Sequence, residues 1–203
     1  MFRFHDLFDL VSGRPTETEG SARRADLVLR AGLATVGLAA VYGLAVGSTD
    51  LGLAFSNLYK VPMVIVLSTL AALPLTLLTW KLTGAPNRMS DLLVATASGS
   101  FTGALVLATL SPIVALYYHS SSWLGGVLAI GASLAAVLLG SFNLVRSVIS
   151  HAPEGVSRAR IALPVIALLA VQQLALIQFI HIASPIIPEV TVFDGGADAM
   201  LGR

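Results

Sequence analysis

Residues 92–145 read LLVATASGSFTGALVLATLSPIVALYYHSSSWLGGVLAIGASLAAVLLGSFNLV, and this run contains no Asp, Glu, Lys or Arg. A hydrocarbon core roughly 30 Å thick takes about 20 apolar residues per helix, so the run is long enough for two crossings. Ala31 to Thr49, Val61 to Trp80 and Ile161 to Pro188 are likewise free of those four residue types, and each is long enough for one crossing. Backbone polar groups in hydrocarbon must pair within the chain, which leaves helices or closed barrels as the only spanning forms. Apolar stretches of this length select helices. The expected fold is therefore all-α: an integral membrane bundle of five transmembrane helices, with the crossings near 25–47, 61–82, 92–118, 123–145 and 161–183.

Composition agrees. The chain is 56% hydrophobic and 11% charged, whereas soluble domains are about 25% charged. Cysteine is absent, which excludes disulfides, thiol nucleophiles and Cys-ligated metals. Phe2-Arg3-Phe4-His5-Asp6 puts charge where a secretory signal needs an apolar core, so no cleaved leader is expected. Three segments follow: residues 1–24, a cytoplasmic amphipathic segment and linker; 25–188, the membrane domain; and 189–203, an extracytoplasmic tail. Within the first, Phe4, Leu7, Phe8 and Val11 share one helical face, which suits a short helix in the headgroup layer. Ala, Gly, Leu and Arg usage fits a GC-rich bacterium, so the expected location is a bacterial cytoplasmic (inner) membrane.

The basic residues set an orientation. With the N-terminus cytoplasmic, Arg3, Arg14, Arg23, Arg24, Arg30, Lys81, Arg88, Arg146, Arg158 and Arg160 lie inside, and only Lys60 and Arg203 lie outside. Tyr117, Tyr118 and Trp123 then fall at the outer interface and Trp80 at the inner one, where amphipathic rings are enriched. Asp26 and Arg30, four apart, are placed to pair at the start of the first span. Thr49 to Lys60 reads as a loop lying on the bilayer surface through Leu51, Leu53, Phe55, Leu58 and Tyr59. Pro62 suits the first turn of the second helix, while Pro74 and Pro112 lie inside helices and kink them.

Chemistry-bearing residues are sparse. Small residues recur every fourth position at Ala39, Gly43 and Gly47, at Ala95, Gly99 and Gly103, and at Ala132, Ala136 and Gly140. Such stripes bring helix backbones close, within this bundle or against a partner's helices. Gln172, Gln173 and Gln178 put amides into the fifth span, either as inter-helix hydrogen bonds or as a polar path for a solute. His119 and His181 fall at similar depth and could ligate a haem iron or a pigment metal between the third and fifth spans. Ser98, Ser100 and Ser111 have no base beside them in the sequence and read as hydroxyls bonded to backbone. No span carries an ionisable Asp, Glu, Lys or Arg at its centre, where proton relays and ion-coupled transporters place such groups. No basic surface is extensive enough for nucleic acid.

Lys60-Val61-Pro62, the Pro-containing second span, and Leu82-Thr83-Gly84-Ala85-Pro86-Asn87-Arg88-Met89-Ser90-Asp91-Leu92-Leu93 ahead of a small-residue helix resemble the Yip-type family of multi-span membrane proteins. The resemblance covers roughly residues 60–150. It implies a non-enzymatic membrane protein with about five spans, whose eukaryotic relatives bind small GTPases. The long acidic cytosolic segment of those relatives has no counterpart in this sequence, and no functional residue carries over. Three functions fit the residues: a non-catalytic accessory or scaffold subunit packing on partner membrane subunits, a small permease or channel for a neutral solute, and a haem- or pigment-binding subunit. The first requires no cofactor and only the lipid bilayer and protein partners.

Overall fold

A computed structural model describes residues 9–11, 21–84, 89–150 and 158–188. Among these the regular structure is entirely helical, with five helices long and apolar enough to cross a membrane. They are α1 (Ser21–Val46), α2 (Leu51–Thr83), α3 (Met89–Ser120), α4 (Ser122–Ser150) and α5 (Arg158–Ala183). The amphipathic helix expected over residues 2–11 falls mostly outside the described residues, as do the linker and the tail from Glu189. Residues 9–11 are helical, and Leu10 is buried against Leu27, Ala31, Val94 and Phe101.

The short connections explain how successive helices reverse. Ser121 alone separates α3 from α4: its amide bonds the Tyr117 carbonyl at 2.7 Å, and its own carbonyl receives the Gly125 amide at 2.9 Å. Gly125 is small because a Cβ there would lie 2.7 Å from the Tyr118 ring. Between α1 and α2, Asp50 caps the new helix by accepting from the Leu53 amide at 3.0 Å, satisfying one of the amides a helix start leaves free. Gly84 ends α2 at φ 60°, ψ 38°, the left-handed conformation that glycine adopts without a Cβ penalty.

The Asp50 cap corrects the expected surface loop over residues 49–60. With Asp50 in place the helix begins at Leu51 and runs for 33 residues, about 50 Å, which exceeds the hydrocarbon thickness by roughly 20 Å. Leu51, Phe55 and Tyr59 are still exposed, but they ride on the first turns of the span. Pro62 accordingly lies inside the helix and not in its first turn. Pro164, seven residues into α5, is a further internal proline.

In the bundle α1 lies between α2 and α3, α4 packs along α3, and α5 packs along α2 with only a slight contact to α4. Besides the cluster around Leu10, two larger apolar cores hold it together. One, toward the end bearing Tyr118, joins Tyr42, Val46, Val61, Val114, Tyr118 and Ala129. The other, toward the end bearing Arg24 and Arg146, joins Trp80, Leu92, Leu144, Val148, Ile161 and Leu168. At that basic end Arg24 bridges Asp91 of α3 at 2.8 Å, and Arg30 pairs with Asp26 at 2.6 Å.

The small-residue stripes lie at the crossings. A Cβ on Gly43 would run into the Asn57 carbonyl, and one on Gly47 would lie 2.5 Å from the Ala54 amide nitrogen. Across α3 and α4, a Cβ on Gly140 would lie 2.8 Å from the Gly99 carbonyl oxygen, and one on Gly103 would lie 3.1 Å from that of Ala136. Ala39, Ala95 and Ala132 are buried beside them. Backbone faces backbone at these points, so neither side has a rotamer with which to yield. Gly140→Ala is therefore expected to destabilise the bundle by about 1–3 kcal/mol, the usual cost of overpacking. Gly131→Ala, with open space where its Cβ would sit, is the neutral control; thermal unfolding of both variants in mild detergent checks the difference.

Candidate functional site

Most described hydroxyls in the helices are satisfied locally. Thr35, Thr76, Thr96, Thr102 and Ser111 each donate to the carbonyl one turn back, at 2.7–2.9 Å. Ser100 departs from the expected backbone bond: its Oγ is buried without a hydrogen-bond partner among the described residues. Besides the Arg24 contacts with Ser90 and Asp91, three polar groupings use longer-range partners or none, and these are where function has to be sought.

The first is buried between α3 and α4. Asn143, 4% exposed, donates to Thr102 Oγ1 at 2.7 Å and to Ser98 Oγ at 2.8 Å. Ser98 in turn donates to the Leu10 carbonyl at 2.8 Å. One amide thus ties two spans together and, through a serine, fastens the N-terminal segment into a gap beside them. Ser98 is thereby a link between the Asn143 amide and the Leu10 carbonyl. Asn143 escaped the sequence reading, although a lone Asn three residues from Arg146 in an uncharged helix is a signal that it is paired.

The second grouping closes the end bearing Tyr118. Asn57, 0% exposed, donates to the Ile186 carbonyl at 2.7 Å, and Lys60 donates to that of Pro185 at 3.1 Å. The segment after α5 therefore folds back over the bundle, with Ile186 and Ile187 packed on the core. Tyr42 donates to the Ala129 carbonyl at 2.7 Å. Asn57 Oδ1, Tyr118 Oη and Ser48 Oγ are buried without a hydrogen-bond partner among the described residues.

The third grouping is on α5. Gln172 faces α2 and donates to Thr69 Oγ1 at 3.2 Å. Gln173 is half-buried and Gln178 exposed, and neither makes a hydrogen bond among the described residues. Five residues apart, they point about 140° from each other around the helix. The three amides thus do not line one face, and the structure does not bring them together as a path. His119 and His181 are both exposed, on helices that are not principal packing neighbours. The described residues contain no cluster of three or more His, Asp or Glu able to hold a metal.

No protein-family model, no curated protein and no solved structure matches the chain. The Yip-type resemblance thus stays an expectation.

The Asn143 network carries its own test. Asn143→Leu keeps the volume nearly constant while removing both donors, and is expected to cost about 1–2 kcal/mol. Amide exchange at residues 9–11 should rise with it, because the Ser98 link loses its support. Unchanged exchange there would separate the N-terminal segment from the network.

Proposed function

We propose that this chain is a non-catalytic, multi-pass accessory or scaffold subunit that packs against partner helices in a larger assembly of a bacterial cytoplasmic membrane. The carrying observation is the pair of uncommitted amides on α5. Gln173 lies close to the middle of that helix and Gln178 further along it, both without a partner among the described residues. A side-chain amide left against acyl chains costs several times what a satisfied one does, so a neighbouring protein helix is the environment that suits it.

Other features support the reading without carrying it. The small-residue stripes are occupied at crossings inside the bundle, leaving α5, the least buried of the five spans, as the face open to a neighbour. Many interior hydroxyls are spent on carbonyls or on the Asn143 amide. The orientation we favour is N-terminus cytoplasmic and C-terminus outside. Among the described residues Arg23, Arg24, Arg30, Lys81, Arg146 and Arg160 fall at one end of the bundle and Lys60 at the other, as the positive-inside bias requires.

The reading is tested by native mass measurement after gentle extraction from the membrane. The expected result is a defined assembly heavier than one 21.1 kDa chain, which loosens when Gln173 and Gln178 are both changed to Leu. A single chain carrying only detergent and lipid would contradict it.

A further inference from the structure

The outward face of α5 has a spacing that identifies what covers it. Ala170, Leu174, Ile177 and His181 follow one another at intervals of four, three and four, and all four are exposed. Leu174 is 69% and Ile177 66% exposed. This is the alternating seam of a two-helix coiled coil, in which Leu174 and His181 take the a positions and Ala170 and Ile177 the d positions. Numbered on that seam, Gln173 is the g position of one heptad and Gln178 the e position of the next. These are the two flanks of such an interface.

We propose that a second copy of this chain packs against α5 in parallel, with Gln173 of each copy hydrogen-bonded to Gln178 of the other. The proposal rests on the scaffold reading above and names the neighbour it requires. Both copies insert with the same topology, so a two-fold axis along the membrane normal makes the two α5 helices parallel and sets equal depths opposite one another. In a parallel pair a g residue meets the e residue five positions further on in the partner. The interval from Gln173 to Gln178 is that interval.

An amide both donates and accepts, so two identical chains satisfy all four amides with two symmetric pairs. No other polar residue is needed. Sliding one helix by a heptad would set Gln173 against Val171 and Gln178 against Ile180, leaving amides in an apolar contact. The amides thus fix the register as well as the partner. Acyl chains supply no group that would satisfy them.

The absence of cysteine makes the test clean. Single cysteines are introduced at 170, 174 and 177 on the seam, at 172 facing α2, and at Leu138 on the outward face of α4, and native membranes are oxidised. Non-reducing gels should show a species of twice the 21.1 kDa chain mass from the three seam positions and not from the other two. Adding Gln173→Leu and Gln178→Leu to the Ile177→Cys chain should lower its yield about tenfold, the loss expected for two membrane amide pairs. All of these sites but 172 and 173 are exposed, so folding is little disturbed. A photoreactive residue at 174 in the full chain separates the outcomes. An adduct with a different polypeptide, and none with a second copy, overturns the pair but leaves the scaffold reading standing. No protein adduct from any seam position overturns both. A dimer from Leu138→Cys as abundant as from Ile177→Cys, or one indifferent to the Leu substitutions, also overturns the pair.

Discussion

Hydrocarbon offers neither donors nor acceptors, and nearly every feature of this bundle follows from that constraint. Backbone groups close within helices. The helix starts and ends that have to lie close to the bundle are finished by side chains or by special backbone geometry, as at Asp50, Ser121 and Gly84. Most polar side chains inside the bundle turn to a carbonyl of their own helix, or reach across to a neighbour as Asn143, Asn57 and Gln172 do. The same solvent gives helices no hydrophobic reason to associate, so association has to come from close packing and hydrogen bonds.

Glycine and alanine supply the packing. The Gly99–Gly140 crossing and the seating of Gly43 and Gly47 on α2 bring main chains within reach of dispersion forces along their length, which long side chains would prevent. Asn143 and Arg24 then lock the geometry that the small residues permit. Helix α5 is held differently. It leans on α2 through Pro164, Val165, Leu168 and Gln172 and leaves most of its circumference outward. On that helix two whole side-chain amides, Gln173 and Gln178, are left without a partner among the described residues.

Much of this was written plainly in the chain. Uninterrupted uncharged runs define the five spans, the four-residue interval of Asp26 and Arg30 produces their ion pair, and the small-residue stripes lie at helix crossings. The start of α2 was not legible as helix because Asp50, Asn57 and Lys60 break the apolar run, and polar residues near a span resemble a loop. Each instead has a specific partner, in the Leu53 amide, the Ile186 carbonyl and the Pro185 carbonyl. Such partners lie up to 129 residues away, beyond the reach of any local pattern. The Asn143 network was hidden for the same reason. Arg24 reads as a topology anchor until α3 brings Asp91 beside it. The amides of α5 were visible as residues, but which of them face outward depends on where α2 lies.

The central claim is that lipid solvates the outer faces of these helices, and a spin label at Leu138 tests it most directly. Leu138 is 69% exposed and lies near the middle of α4. In reconstituted bilayers the label should collide freely with dissolved oxygen, which concentrates in hydrocarbon, and scarcely at all with a water-soluble nickel chelate. Ready collision with the chelate would place that face in water and contradict the account.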